Sequence, residues 1–431
     1  MNGHRLGRAL GWGTALAVAL SLAAAPLPAR SANQYGVLQT LINPDPINSG
    51  SGNPETFGAS VLWADETTAV VGAPGKTVNG LVLAGAAYVY DSPIDVPSPS
   101  AILTASQSIT SAAQLGRALA VVGAPPQLVV GAPGDSVGTA LAGIGAAYRF
   151  DLTGALVYSV TKPAPLTLSD AFGSAVAGLG NDVVVGAPGA NTFVGVVCRF
   201  TGTSCTQSIT GPAQFVDYGS SLAVSGNLLF VGTPRFNNDR GAVYAYDLSG
   251  PTPTLTWVYS HTTIPDNDVG AWLFGTSLAV HGNKLLVGEP DYRGHGRVYL
   301  FDITTHGWLN TYEQPNIVVD GFERFGQAVS IFGGQALIGA PGYDAGGVVN
   351  NNAGAAYLFS ADGPYALVER FDNPNPAVND AFGSAVAVGP GTDLFLVGAP
   401  QADLPAMSNA GKVYIFGVSA GARLFLPLVL R

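Results

Sequence analysis

The sequence feature that most constrains the fold is an internal repeat. Seven segments of this 431-residue chain begin with an aromatic residue or leucine followed by glycine. Each ends with an apolar run followed by Gly-Ala-Pro or a close variant. Their first residues lie 46 to 58 positions apart: Phe57, Leu115, Phe172, Tyr218, Phe274, Phe325 and Phe382. A unit that recurs at such a period cannot bury its apolar face alone, so the copies are expected to pack against one another.

Each unit is predicted to contain four strands. The first is a short alternating stretch, and a tight turn such as Gly180-Asn181 leads to an almost wholly apolar second strand, typical of a strand buried on both faces. The third strand follows a second shared signature, of the type GAVYAY, and the fourth contains fragments such as TLTWVYS. Seven such units favour an all-β, seven-bladed β-propeller of antiparallel blades over a stacked solenoid.

The ends of the chain indicate how the ring closes. The segment 35–42 precedes the first repeat as an unpartnered strand, whereas the last repeat clearly supplies only three strands, ending at Phe416. We expect the N-terminal strand to complete the seventh blade, because that pairing removes an exposed sheet edge. The segment 423–429 is the competing candidate for the same edge.

The motif pair of Phe-Gly and Gly-Ala-Pro, followed by GAVY-like strands, resembles the FG-GAP repeat of the integrin α-subunit propeller and its bacterial relatives. The resemblance covers residues 35–417 and implies an extracellular binding scaffold for proteins or glycans, in a family that often binds calcium. The family's calcium loops carry spaced aspartates between the two motifs, and here the corresponding turns, such as ADETT from Ala64, lack three spaced carboxylates. We therefore expect no calcium and no other cofactor.

The N-terminal residues 1–32 are predicted to be an export signal. Arg5 and Arg8 precede an uncharged apolar run, and cleavage is expected after Ala29 or, alternatively, after Ala32. Retention of the segment as a membrane anchor is the alternative, since its apolar run is near the lower length limit for a span. After an export signal at residues 1–32, the propeller is expected to occupy residues 33–417, followed by a short tail at 418–431. The protein is expected to be secreted or held at the cell surface.

Two cysteines, Cys198 and Cys205, flank a predicted hairpin turn at Thr201-Gly202. That turn would place the two cysteines directly opposite each other, within reach of a disulfide bond. Export would favour oxidation of the pair. Two buried free thiols are the alternative.

A partner is expected on the face formed by the loops between strands two and three of each blade together with the links between blades, which we call the loop face. These loops hold 10, 11, 6, 6, 5, 12 and 10 residues in blades one to seven, so the long ones are contiguous once the ring closes. Long loops on a rigid scaffold commonly form recognition sites. The candidate binding residues are Asn350, Asn351, Asn352, Asn409, Asn79 and Asp135.

The links on the same face carry acidic residues, which predict an acidic surface for a basic or hydroxyl-rich partner; solubility alone is the alternative explanation. They are Asp170, Asp217, Asp266, Asp268, Asp320, Glu323 and Asp380. The net charge of −10 argues against nucleic acid and anionic membranes as partners. An extracellular protein or glycan partner and a monomeric state are expected.

An enzymatic function is not expected from the sequence. The group with the residue types for catalysis is Glu289, Asp291 and His295, where the fifth repeat departs from Gly-Ala-Pro. A surface ion pair with Arg293 or Arg297 is the preferred explanation for it. The alternative function is a carbohydrate-active propeller enzyme, a hydrolase or lyase. Such an enzyme needs paired carboxylates near the channel, and the sequence offers one, Glu289.

Overall fold

The computed structural model describes residues 35–46, 54–105, 109–137, 139, 141–213, 216–265, 270, 272–315, 322–345, 351–391, 393–405 and 407–418. The predicted export signal and the tail beyond residue 418 lie outside these residues.

The described residues form 28 strands. In chain order they are β1 (Tyr35–Ile42), β2 (Ser60–Trp63), β3 (Thr68–Ala73), β4 (Ala86–Asp91), β5 (Ala101–Leu103), β6 (Ala118–Val122), β7 (Gln127–Ala132), β8 (Ala146–Phe150), β9 (Leu156–Val160), β10 (Ala175–Leu179), β11 (Asp182–Ala187), β12 (Val196–Thr201), β13 (Ser204–Thr210), β14 (Ser221–Ser225), β15 (Leu228–Thr233), β16 (Ala242–Asp247), β17 (Thr254–Tyr259), β18 (Ser277–His281), β19 (Lys284–Glu289), β20 (Arg297–Asp302), β21 (Trp308–Glu313), β22 (Ala328–Phe332), β23 (Gln335–Ala340), β24 (Ala355–Ser360), β25 (Leu367–Asp372), β26 (Ala385–Val388), β27 (Phe395–Ala399) and β28 (Lys412–Val418).

Short helical turns interrupt this pattern. Two have α-type hydrogen bonding, α1 (Ala190–Phe193) and α2 (Phe236–Asp239), and two are 3₁₀ turns, His261–Thr263 and Tyr292–Gly294. Three of the four, α1, α2 and Tyr292–Gly294, form the short loops between strands two and three of blades three, four and five.

The strands pair into seven four-stranded antiparallel sheets, and each sheet is one blade. Six blades use four consecutive strands, from β2–β5 to β22–β25. The innermost strands of neighbouring blades contact each other around the ring, including β2 of blade one with β26 of blade seven. The predicted seven-bladed propeller is therefore confirmed.

Closure follows the predicted route. The seventh sheet has the order β1-β28-β27-β26, so the N-terminal strand is its outer edge. The pairing runs from Tyr35 opposite Val418 to Ile42 opposite Lys412, with one bulge. The first and last strands of the described residues are therefore joined by backbone hydrogen bonds, which leaves β28 with a partner on each side.

Burial follows strand position within the blade. All six residues of β3, a second strand, are buried, as the uninterrupted apolar runs predict. The fourth strands are more exposed than the second strands; in β17, four consecutive residues are exposed. Aromatic side chains pack in the space between blades. The rings of Phe57 and Tyr88, for example, meet edge to face with their centroids 5.5 Å apart.

The Phe-Gly motif is a backbone turn that joins neighbouring blades. In blade three, the Ser174 N–H donates to the Ala171 carbonyl across Phe172-Gly173, and Gly173 has φ of +93°. Glycine after the first central residue with such a φ is the pattern of a type II turn. The Phe172 N–H also donates to the Ile144 carbonyl of the preceding blade, so the turn seats one blade on the next.

Glycine is required at this turn for lack of space as well as for φ. A Cβ on Gly173 would stand 2.3 Å from the Ala146 oxygen, a backbone atom of blade two. A Cβ on Gly131, the glycine of the Gly-Ala-Pro motif in blade two, would stand 2.0 Å from the Gly173 oxygen. The two motif glycines thus lie against each other at the blade interface, which explains why the two motifs recur together.

Candidate functional site

The loop face carries a cavity of about 910 Å³. Its lining comes from the links, the turns and the loops of blades six, seven, one and two, which is the sector where the long loops lie. Among the described residues, the lining consists of Pro54, Thr56, Ala59, Pro74, Gly75, Leu83, Gln114, Arg117, Phe322, Arg324, Gln327, Pro341, Gly342, Asn352, Asn379, Ala381, Ser384, Pro400 and Gln401. We call this the loop-face cavity. Its volume is within the range of sites that enclose small organic ligands.

The Phe-Gly turns position much of this lining. The cavity is lined by residues immediately before the motif, such as Thr56 and Arg324. It is also lined by residues immediately after the motif, such as Ala59 and Arg117. The residue before the motif adopts a left-handed backbone in every blade, with φ between +52° and +61°. These residues are Thr56, Gln114, Ala171, Asp217, Leu273, Arg324 and Ala381. A backbone fixed at both sides of the turn holds these side chains on a rigid scaffold.

One of the predicted asparagines lines the cavity. Asn352 has φ of +48°, its N–H donates to Asp344 Oδ1 at 2.8 Å, and its side-chain amide donates to Asn379 Oδ1 at 3.1 Å. Asn379, which the sequence analysis did not select, is exposed and lines the cavity beside it. The pair presents amide groups that both donate and accept hydrogen bonds.

Neither Asn79 nor Asn409 belongs to the described lining of the cavity. Asn79 and Gly80, with φ of +50° and +80°, form a two-residue hairpin turn between Val78 and Leu81. Asn409 also has a left-handed backbone, with φ of +54°. Asparagine is common in these conformations because its short polar side chain can hydrogen-bond locally, so turn geometry explains the residue type at both positions.

The remaining predicted asparagines are Asn351 and Asn350. Asn351 is half-buried, and its amide donates to the Ala345 carbonyl at 3.5 Å. Asn350 lies outside the described residues.

The prediction for Asp135 as a surface binding residue is wrong. Its side chain is fully buried and accepts hydrogen bonds from Tyr148 Oη, Thr110 Oγ1 and the Val137 N–H. A buried carboxylate needs such donors to replace its water. Asp135 therefore holds its loop against the blade and is not available to a partner.

The prediction of an acidic loop face is also wrong for three of the link residues, since Asp170, Glu323 and Asp380 are buried. Asp170 lies 3.3 Å from the Lys162 ammonium, and Asp380 accepts from the Asn373 amide at 2.7 Å. These carboxylates fasten the links from inside the fold.

Asp217 is partly exposed, and it forms an ion pair with Arg235 at 3.1 Å. Burial raises the pKa of its carboxyl, with the arginine opposing that shift. Asp266, Asp268 and Asp320 lie outside the described residues.

Two arginines that the sequence analysis did not select dominate the charge of the cavity. Arg117 follows the Leu-Gly motif of blade two, and Arg324 precedes the Phe-Gly motif of blade six. Both side chains are exposed, and neither guanidinium forms an ion pair or hydrogen bond with another described residue. Phe322, also in the lining, is 70% exposed.

The predicted cluster of Glu289, Asp291 and His295 is not assembled. Glu289 is fully buried and bonds instead to His261 Nε2 and to the Tyr299 hydroxyl at 2.9 Å, whereas Asp291 is exposed. His261 was missed because it lies 28 positions earlier in the chain, where no local motif marks it. Glu289 takes the position at which most of the other repeats carry alanine. Both Glu289 and His261 are buried from solvent.

The predicted register of the cysteine hairpin is wrong. The turn residues are Gly202 and Thr203, so Thr201 pairs with Ser204 and Phe200 pairs with Cys205. A bulge after Arg199 then places Cys198 opposite Ser208. Both cysteines are free thiols in this structure. Cys205 packs against the buried cluster that contains Cys198, and the interaction between the two thiols lowers the pKa of Cys198 and raises that of Cys205. The disulfide stays a prediction.

Within the described residues, no three His, Cys, Asp or Glu side chains are grouped so that they could hold a metal ion. No helix in the same part of the chain is long and apolar enough to cross a bilayer.

Comparison with known proteins agrees with this architecture. The FG-GAP repeat family matches residues 319–359, which correspond to the link into blade six and its strands β22–β24. This chain is a seven-bladed propeller that carries an FG-GAP repeat.

Among solved structures, the propeller is similar to the crystal structure of the Myceliophteria thermophila Cps50 (Swd1) β-propeller domain. The two share 14% sequence identity with a TM-score of 0.55, over 89% of this chain and 100% of the other. At that identity the likeness concerns the fold alone. No curated protein sequence matches the FG-GAP propeller.

Proposed function

We propose that this FG-GAP propeller is a secreted, non-catalytic binding scaffold. It acts as a monomer and recognises an extracellular protein or glycan through the loop-face cavity. The observation that carries the proposal is the place of the cavity, which opens where the four longest loops of the ring are contiguous. A rigid ring that presents variable loops around one concave sector is a common arrangement for recognition.

The lining supports a binding role. Side-chain amides and hydroxyls from different blades converge on one space with two guanidinium groups, and an exposed aromatic ring stands at its wall. Convergent polar groups in a preformed concave site give specificity without ordering a flexible segment. Glu289 and His261, a hydrogen-bonded carboxylate–histidine pair, are buried at blade five and the link that precedes it, and neither belongs to the described lining of the cavity.

Blocking the cavity tests this function. Gln327→Trp fills it from the position after the Phe-Gly motif of blade six, and Thr276→Trp places the same bulk at the equivalent position of blade five, outside the lining. The labelled protein and both variants are applied to a glycan array and to extracellular proteins from the native source, and substrates are checked for turnover.

We expect retention without turnover, lost in Gln327→Trp and kept in Thr276→Trp, with both variants melting near the parent. Binding that survives Gln327→Trp, or a ligand that is consumed, would remove the proposal.

A further inference from the structure

The charge of the loop-face cavity opposes that of the whole chain. Its described lining contains two arginines and no aspartate or glutamate, in a protein of net charge −10. The acidic residues adjacent in sequence to the lining residues, such as Glu55 and Glu323, are buried, with exposed fractions of 3% and 0%. A positive site on a negative protein attracts anions locally while the rest of the surface repels them.

The repeat itself places the two arginines. In the other blades, the positions that Arg117 and Arg324 occupy hold neutral side chains or, at Asp217, an acid paired with Arg235. Arg324 sits in the left-handed conformation of its turn, with φ of +56°, and the Gln327 N–H closes that turn on the Arg324 carbonyl at 3.0 Å. The backbone is thus fixed, and the guanidinium groups are left exposed with no side-chain partner among the described residues.

Guanidinium groups recognise carboxylates, as they do phosphates, through paired hydrogen bonds. The remaining lining indicates what would carry the carboxylate. Side-chain amides of Gln114, Gln327, Gln401, Asn352 and Asn379 surround the space, and each can both donate and accept, as sugar hydroxyls do. The exposed ring of Phe322 offers a flat apolar surface that suits the C–H face of a sugar ring.

We propose that the loop-face cavity binds an acidic oligosaccharide, whose uronate carboxylates are anchored by Arg117 and Arg324. An acidic peptide is less well matched, because apart from Leu83 the described lining offers no aliphatic side chain other than prolines and alanines for the peptide's carbon side chains. This inference names the ligand class for the proposed binding function and rests on it.

The test uses the purified chain and a galacturonate oligomer as probe, with isothermal titration calorimetry at low and high salt. The matched neutral probe is the same oligomer with its carboxylates methyl-esterified, and a glutamate oligomer of equal charge is the peptide probe. Arg117→Gln and Arg324→Gln remove the charge but keep a side chain that can donate hydrogen bonds. The control is Arg293→Gln, at an exposed arginine of blade five outside the lining.

We expect the galacturonate oligomer to bind, more weakly at high salt, and each cavity variant to lose about tenfold in affinity, the lower end for hydrogen bonds to charged groups. The Arg293→Gln control should bind as the parent does. Unchanged affinity in both cavity variants, or tighter binding of the glutamate oligomer, would overturn the acidic-oligosaccharide inference.

Failure of this inference can be told from failure of the proposed function. A neutral glycan that binds equally to the Arg→Gln variants but is blocked by Gln327→Trp would keep the function and remove the ligand class. Binding of the galacturonate oligomer that Gln327→Trp does not affect would remove both.

Discussion

The glycine contact between neighbouring blades leads to a quantitative prediction. Gly173→Ala and Gly180→Ala both place a methyl group on a glycine of blade three with positive φ, +93° and +60°. At Gly173 the new Cβ would lie 2.3 Å from the Ala146 oxygen and 3.1 Å from the Ala132 nitrogen, both backbone atoms of blade two. At Gly180, in the turn between β10 and β11, no atom lies within 4 Å. The two changes therefore differ in steric contact far more than in chemistry.

The magnitude follows from separating the two costs. A left-handed backbone costs an alanine about 1–2 kcal/mol, which both variants incur. Forcing an extra carbon against backbone that cannot move freely adds about 1–3 kcal/mol, or more where the neighbours are held in sheets. We expect Gly180→Ala to lower the free energy of unfolding by about 1–2 kcal/mol and Gly173→Ala, which incurs both costs, by about 2–5 kcal/mol.

Urea unfolding followed by tryptophan fluorescence measures both values, with thermal melting as a second measurement. A Gly173→Ala protein that fails to accumulate while Gly180→Ala folds is the extreme form of the expected result. Equal destabilisation of the two variants would refute the claim that this close contact constrains the blade interface.

Other predictions concern the buried pair, the thiols and the closing strand. Glu289→Ala, which restores the alanine common to the other repeats, should lower the free energy of unfolding by about 3 kcal/mol, because it leaves His261 buried without its carboxylate; a change below 1 kcal/mol in urea unfolding would contradict that role. Diamide treatment of the native protein should join Cys198 and Cys205 in a disulfide, because the two thiols are neighbours. The two hydrogens pass to the oxidant, and mass spectrometry measures their loss. Two thiols that persist without any change in mass would contradict the prediction. Deletion of the segment Tyr35–Ile42 should expose the edge of blade seven and cause aggregation, detected by light scattering, and a monodisperse truncated protein would show that the ring closes without this strand.

Much of the fold could be predicted because the determinants are local and repeated seven times. The Phe-Gly turn, the apolar second strand and the unpartnered segment at 35–42 each appear in the sequence in the form that the structure uses. The cysteine register could not be predicted, because the turn lies at Gly202-Thr203, one position later than the expected Thr201-Gly202, and a bulge follows it after Arg199. One inserted residue moves every later pair.

The site was harder to predict because a loop position does not determine exposure. Asp135 looked like a surface acid, but Tyr148, thirteen positions later and in the neighbouring strand, draws it inward. Asn79 was selected for its polarity, although its backbone conformation explains it. A signal for Arg117 and Arg324 was present: alignment of the residues that flank each Phe-Gly motif shows arginine only in blades two and six.

The most direct test of the binding account is a crystal structure of the chain with a galacturonate oligomer. The account predicts sugar density in the loop-face cavity, with carboxylate oxygens within hydrogen-bond distance of the Arg117 and Arg324 guanidinium groups. An oligomer bound elsewhere on the propeller, or seated in the cavity with its carboxylates turned away from both arginines, would contradict it.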